Sequence, residues 1–157
     1  MQVELVIPAY NESYRIGEVL KAAMMSDVDR VVVVDDGSTD NTAQIAAWSG
    51  ADVIQLARNA GKAQAMLEGF HATRAPVIVF IDADLTGLHP WHIEDLIAPV
   101  ITGQVEMTVG QLPSLPAWML SFSGQRAMRR WVMEAAASQP GFVRYGAETV
   151  LNQVTTA

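Results

Sequence analysis

The sequence predicts an α/β fold, a mostly parallel sheet with helices on both faces, and three observations carry that expectation. Short apolar, β-branched runs alternate with stretches of helical period, the pattern of successive β–α–β units. Val31 to Val34 is an unbroken β-branched run, as expected of a strand covered on both faces. Polar residues gather where such runs end, and an open sheet of this class binds its ligand beyond those ends. The chain has the size for it. Its 157 residues, 50% hydrophobic and 17% charged, suffice for one buried core and exclude a disordered chain.

Val3 to Ile7 reads as the first strand, closed by Pro8. Asn11-Glu12-Ser13 then opens a helix in which Ile16, Val19, Leu20 and Ala23 recur at helical spacing. The second strand, Val31 to Val34, ends in the turn Asp35-Asp36-Gly37-Ser38, and Thr39 or Asp40 caps a helix that runs to Trp48. Val53 to Leu56 is the third strand, followed by a helix from Gly61 to Thr73. Val77 to Ile81 is the fourth and runs straight into Asp82-Ala83-Asp84. A helix from His92 to Ile101 and a strand from Val105 to Val109 complete the alternation. After the proline-punctuated Leu112 to Pro116, the residues from Trp118 read as an apolar strand or helix, a Ser123-Gly124 break and one amphipathic helix. A last helix opens at Tyr145-Gly146. The expected organisation is a single domain, with an α/β core over residues 1–111 and a further segment over 112–157.

Charge and composition narrow the function. The net charge is −7 and unevenly spread: residues 1–116 carry 6 Lys/Arg against 15 Asp/Glu, whereas residues 117–157 carry four arginines against Glu134 and Glu148. An acidic body excludes a nucleic-acid-binding face, which needs a broad basic surface. The small basic cluster suits one phosphate group or a peripheral contact with an anionic membrane surface. Without cysteine there is no disulfide, zinc–thiolate site or thiol nucleophile. The N-terminus lacks the basic start and long apolar stretch of a signal peptide, and no apolar run is long enough to cross a bilayer. The expectation is a soluble, cytoplasmic protein, with any membrane contact at the inner face.

Two familiar phosphate-binding loops are absent. VIPAYNE stands after the first strand in place of Gly-x-Gly-x-x-Gly, and Gly61-Lys62 lacks both the P-loop glycine, being Leu56, and its hydroxyl, being Ala63. Asp82-x-Asp84 offers other chemistry. Two carboxylates at i and i+2 beyond a buried strand reach a hard cation, and Mg²⁺ or Mn²⁺ held this way completes its shell with substrate phosphate oxygens. In isolation such a pair more often ends a strand in a solvated turn.

The pair is not isolated. VIPAYNE (6–12), VVVVDDGSTDNT (31–42), RNAGKAQAM (58–66) and VFIDADL (79–85) follow in this order, each at a strand end. The series resembles the family 2 glycosyltransferases, enzymes of the GT-A fold that use nucleotide-diphosphate sugars. The resemblance covers residues 2–111 well, and SGQRAMRR (123–130) and FVRYGAETVLN (142–152) more loosely. It implies that Pro8, Tyr10 and Glu12 border the nucleoside and that Asp35 and Asp36 flank the base. It also implies that Arg58 and Lys62 approach the base edge or diphosphate. Asp82 would contact the ribose or metal-bound water, and Asp84 would ligate Mn²⁺ or Mg²⁺ between the phosphates.

On the acceptor side, the resemblance assigns Ser123, Gly124, Gln125 and Arg126 to the acceptor floor. Arg126 would grip an anion there and Gly124 would allow close approach. Glu148 is the candidate catalytic base of an inverting transfer. Asp82-Ala83-Asp84 followed by HPWHIEDLIAPVITG also resembles glucosyl-3-phosphoglycerate synthases, which are retaining; in that case Glu148 orients acceptor or sugar instead. The implied partners are a UDP- or GDP-sugar donor and an acceptor that is either a phosphorylated small molecule or a polyprenyl phosphate.

Blander roles are expected elsewhere: helix capping for Asp40 and Asn41, a turn at Gly37, capping or surface for His89 and His92, and core or interface for Trp118, Met119, Met128, Trp131 and Met133. Family members normally continue past the glutamate helix, so the 112–157 segment reads as incomplete relative to them. Its uncovered apolar residues predict a homodimer through residues 117–136. The alternatives are a nucleotide-sugar-binding module without transferase activity and a structural dimerisation domain that binds no nucleotide.

Overall fold

The computed structural model describes residues 1–111 and 123–156. In chain order the elements are β1 (Val3–Ala9), α1 (Ile16–Met25), β2 (Arg30–Asp35), α2 (Thr42–Trp48), β3 (Asp52–Gln55), α3 (Lys62–Ala72), β4 (Val77–Phe80), α4 (Pro90–Ile101), β5 (Met107–Val109), β6 (Arg126–Arg129), α5 (Arg130–Ala137), α6 (Phe142–Tyr145) and α7 (Ala147–Thr156). They build one six-stranded sheet in the order β3-β2-β1-β4-β6-β5.

β3, β2, β1 and β4 are parallel. Their strand period of two divides the side chains between two cores. Leu5, Ile7, Val31, Val33, Val77 and Val79 face α1, α2 and α4 on one side. Val6, Val32, Val34, Ile78 and Phe80 face α3, α5, α6 and α7 on the other. Complete burial of each such side chain contributes about 1.5–3 kcal/mol, which explains why the central strands are the most apolar stretches of the chain.

The expected amphipathic helix after the Ser123-Gly124 break is a correction. Its first part, Arg126–Arg129, is strand β6, antiparallel to both β4 and β5, and the helix begins only at Arg130. The physical reason is the same period of two. Ala127 packs into the first core and Met128 into the second, and β4 would otherwise lack a neighbour on that side. β5 is shorter than expected and lies at the sheet edge. Residues 112–122 are outside the described set. Among the described residues no helix is long and apolar enough to cross a membrane.

The parallel strands bring their carboxyl ends to one edge, and side chains fix the loops there. Asn11, with φ of 51°, donates its N–H to Ser38 Oγ at 2.9 Å and accepts from the Thr39 N–H through Oδ1 at 2.9 Å. The Glu12 N–H donates to Thr42 Oγ1 at 2.9 Å, and the Ser13 N–H to Asp40 Oδ2 at 3.1 Å. Asp40 also accepts the Thr42 N–H at 3.0 Å, so it caps α2 as expected, whereas Asn41 makes no side-chain cap bond. These bonds to Asp40 hold its carboxyl down at about 2, against the push of burial. Gly37 has φ of 73°, and a Cβ there would stand 2.6 Å from the carbonyl carbon of Arg58. It is therefore required both by the turn and by the loop packed on it.

Candidate functional site

A cavity of about 360 Å³ opens at this edge. Seven residues expected from the sequence line it: Pro8, Tyr10, Glu12, Asp36, Lys62, Asp82 and Asp84. Tyr10 presents an exposed ring at the rim, and Glu12 is tied to Arg15 at 3.0 Å. Asp36, only 3% exposed, accepts the N–H groups of Ala60 at 2.7 Å and Gly61 at 2.9 Å. Its carboxylate thus anchors the 58–61 loop that shapes the cavity.

Two expected nucleotide contacts fall elsewhere. Asp35 is buried, accepts from the Ser38 N–H at 3.4 Å and does not line the cavity. It faces the turn, because neighbouring residues of a strand end point to opposite sides. Arg58 is exposed and also off the cavity wall, where Asn59 stands instead. Asn59 lies in the RNAGK stretch, but an asparagine beside a glycine reads first as turn chemistry.

The charged centre lies where α3 and β4 meet the C-terminal segment. Lys62 Nζ is 2.7 Å from Asp82 Oδ1 and 2.9 Å from Glu148 Oε1. Gln125 Nε2 donates to Asp82 Oδ2 at 2.8 Å, and Ser123 Oγ is 2.7 Å from both Gln125 Oε1 and the Gly110 carbonyl oxygen. Ser123 and Gln125 therefore position Asp82. A Cβ on Gly124 would overlap both carboxylate oxygens of Asp82 and stand 2.6 Å from Lys62 Nζ. In this structure the close approach at Gly124 is that of the ion pair itself.

Arg126 is the clearest correction. Its side chain is wholly buried, with Nε donating to the Ser123 carbonyl at 3.1 Å and Nη1 to Asn152 Oδ1 at 2.6 Å. A guanidinium enclosed by β6 and α7 has no surface to offer an acceptor anion. His92 accepts the His89 N–H through Nδ1 at 3.1 Å, a cap at the start of α4, as expected. Of the segment expected to dimerise, Trp118, Met119, Leu120 and Phe122 lie outside the described residues. Trp131 is half exposed and donates its indole N–H to Glu106 at 2.8 Å.

The electrostatics follow from this packing. Burial works against the Lys62 ammonium, yet Asp82 and Glu148 outweigh it and hold its pKa above the ordinary lysine value. Burial pushes Glu148 up, but the bond and charge of Lys62, with Arg126 behind it, bring it below the usual carboxylate value. For Arg126 burial dominates and lowers the guanidinium, with Glu148 and Asp82 opposing. Glu148 thus contributes stability above the ordinary value of 4.5 that is lost as pH falls through its lowered folded value. Lys62 contributes below 10.5, and that contribution is lost as pH rises through its raised folded value. Urea midpoints are expected to be level between these ranges and to fall at both ends, and Lys62→Met should remove most of the alkaline fall. An alkaline limb unchanged in that variant would contradict the assignment.

Substituting Gly124 tests the crowding directly. Gly124→Ala is expected to displace Asp82 and Lys62, whose side-chain ends are what it meets, and so to leave the core intact. Binding of UDP or GDP with Mn²⁺ should weaken by about 10-fold or more, while the thermal midpoint shifts little. Unchanged calorimetric affinity would refute the role given to this glycine.

A second cavity, of about 640 Å³, lies beyond Gln125 and is lined also by Leu85, His92, Asp95, Thr108 and Gln111. Gln125 lines this cavity and binds the carboxylate of the first.

The chain is similar to known proteins along much of its length. The profile described as "Glycosyl transferase family 2" matches residues 4–116. Glucosyl-3-phosphoglycerate synthase of Mycobacterium tuberculosis (strain CDC 1551 / Oshkosh) is 35% identical over 112 residues, covering 65% of this chain and 35% of that protein. The 4,4'-diaponeurosporenoate glycosyltransferase of Staphylococcus aureus (strain bovine RF122 / ET3-1) is 38% identical over 99 residues, covering 59% of this chain and 26% of that one. The crystal structure of the M. tuberculosis synthase with Mn²⁺, uridine-diphosphate-glucose and phosphoglyceric acid superposes with a TM-score of 0.72. Its identity is 29%, over 85% of this chain and 58% of the other. The chain spans about one third of the length of the curated synthases it matches.

Proposed function

Taking as premise that the chain belongs to glycosyl transferase family 2, we propose that it moves a sugar from a nucleotide-diphosphate sugar to a hydroxyl or phosphate acceptor with Mn²⁺ or Mg²⁺. The observation that carries this reading is the meeting of Lys62, Asp82 and Asp84 in one cavity beyond the parallel strands. Two carboxylates fit such an ion. Donor phosphates and water would contribute to its shell. When bound, the ion neutralises charge on the departing diphosphate.

The chain's own residues do the rest. Pro8 and Tyr10 border the nucleoside, Asp36 holds the loop beneath it, and Lys62 reaches the diphosphate. Gln125 joins the donor cavity to the second one, which we assign to the acceptor. Glu148 holds Lys62 and, with its pKa lowered, serves better to orient the reacting groups than to take a proton. UDP-glucose as donor and a phosphorylated acceptor are suggested by the synthase complexed with both kinds of ligand.

Incubation with Mn²⁺ and a panel of UDP- and GDP-sugars, with phosphoglycerate and polyprenyl phosphate as acceptors, tests the reading through nucleotide release. The expected result is release that depends on metal and acceptor together. Tight donor binding without turnover across the panel would instead support a nucleotide-sugar-binding module.

A further inference from the structure

Asp82 is already satisfied in this structure. One carboxylate oxygen meets Lys62 Nζ at 2.7 Å and the other accepts from Gln125 Nε2 at 2.8 Å. The ammonium therefore holds a carboxylate oxygen that a cation on Asp82 would need, and two positive charges would repel each other strongly at one carboxylate oxygen. Lys62 also has a second carboxylate to hold. Glu148 Oε1 lies 2.9 Å from Nζ, so the ammonium can leave Asp82 without losing an anionic partner. Asp84, the other carboxylate of the pair, is exposed and lines the same cavity.

We propose that Lys62 is an internal stand-in cation that keeps Asp82 from a divalent metal until a nucleoside diphosphate draws the ammonium toward its phosphates. The inference rests on the nucleotide-diphosphate reading above and adds an order to it. The protein binds metal weakly by itself and firmly once the diphosphate is present. Linkage makes this reciprocal, so metal strengthens diphosphate binding by the same factor. Lys62 is thus a positioning residue for Asp82 as well as a phosphate contact.

Mn²⁺ binding to the whole chain, followed by electron paramagnetic resonance of the free ion, provides the test. In wild type, UDP or GDP should tighten Mn²⁺ binding by about 10-fold or more. Lys62→Met should bind Mn²⁺ without nucleotide about 10-fold more tightly than wild type, and its further gain on adding nucleotide should shrink. Lys21→Met removes an equal charge from the exposed face of α1 and should leave Mn²⁺ affinity unchanged. No gain in Lys62→Met, or an equal gain in Lys21→Met, would overturn the proposal. Lys62→Gln serves if the methionine variant does not fold, and wild type that binds Mn²⁺ equally well with and without nucleotide overturns it alone. If Mn²⁺ never binds with either nucleotide in any form, the functional reading itself has failed.

Discussion

Arg126→Glu is expected to destabilise the protein by about 3–5 kcal/mol, a large share of the roughly 5–15 kcal/mol typical of a domain. The guanidinium is fully buried and bonded to the Ser123 carbonyl and Asn152. Glu148 and Asp82 lie close enough to influence its ionisation. Reversal would bury a carboxylate among carboxylates and leave the Ser123 carbonyl without its donor. Arg126→Met, which fills similar space without charge, should cost less. Urea denaturation of the three proteins measures both effects, and a midpoint for the glutamate variant within error of wild type would show that Arg126 does not secure β6 to α7.

The second large effect is functional. Asp84→Asn is expected to lower Mn²⁺-dependent affinity for UDP or GDP by at least about 100-fold while the fold is unaffected. Asp84 is exposed at a strand end, and substitutions at such positions move stability by about 0.5 kcal/mol or less. Titration calorimetry with and without Mn²⁺ separates the two contributions, since the metal-free affinity should hardly change. Equal affinity of variant and wild type in the presence of Mn²⁺ would remove Asp84 from the metal site.

These contrasting effects reflect what the sequence makes legible. The parallel half of the sheet is readable because each strand is an apolar run and each strand end a polar motif, so local pattern and tertiary position coincide. Pro8, Tyr10, Glu12, Asp36, Lys62, Asp82 and Asp84 accordingly fall in one cavity. β6 is not readable in the same way. Its Arg-Ala-Met-Arg alternation carries an arginine at each end, and a buried arginine looks like a surface one until Asn152 and the Ser123 carbonyl are found beside it. Likewise the roles of Ser123 and Gln125 depend on Asp82, some 40 residues earlier. A pairing of that separation leaves no periodic trace.

The placement of β6 also bears on how the protein reaches its native state. β4 pairs residues 77–80 with residues 3–6 of β1, and β6 pairs residues 126–129 with the same stretch of β4. The intervening chain has to close before either contact stabilises anything, and such non-local pairing slows folding. Gln125 precedes β6 directly, and Glu148 sits on a helix packed behind it. The cluster around Asp82 is therefore complete only once both long-range strand pairings are made.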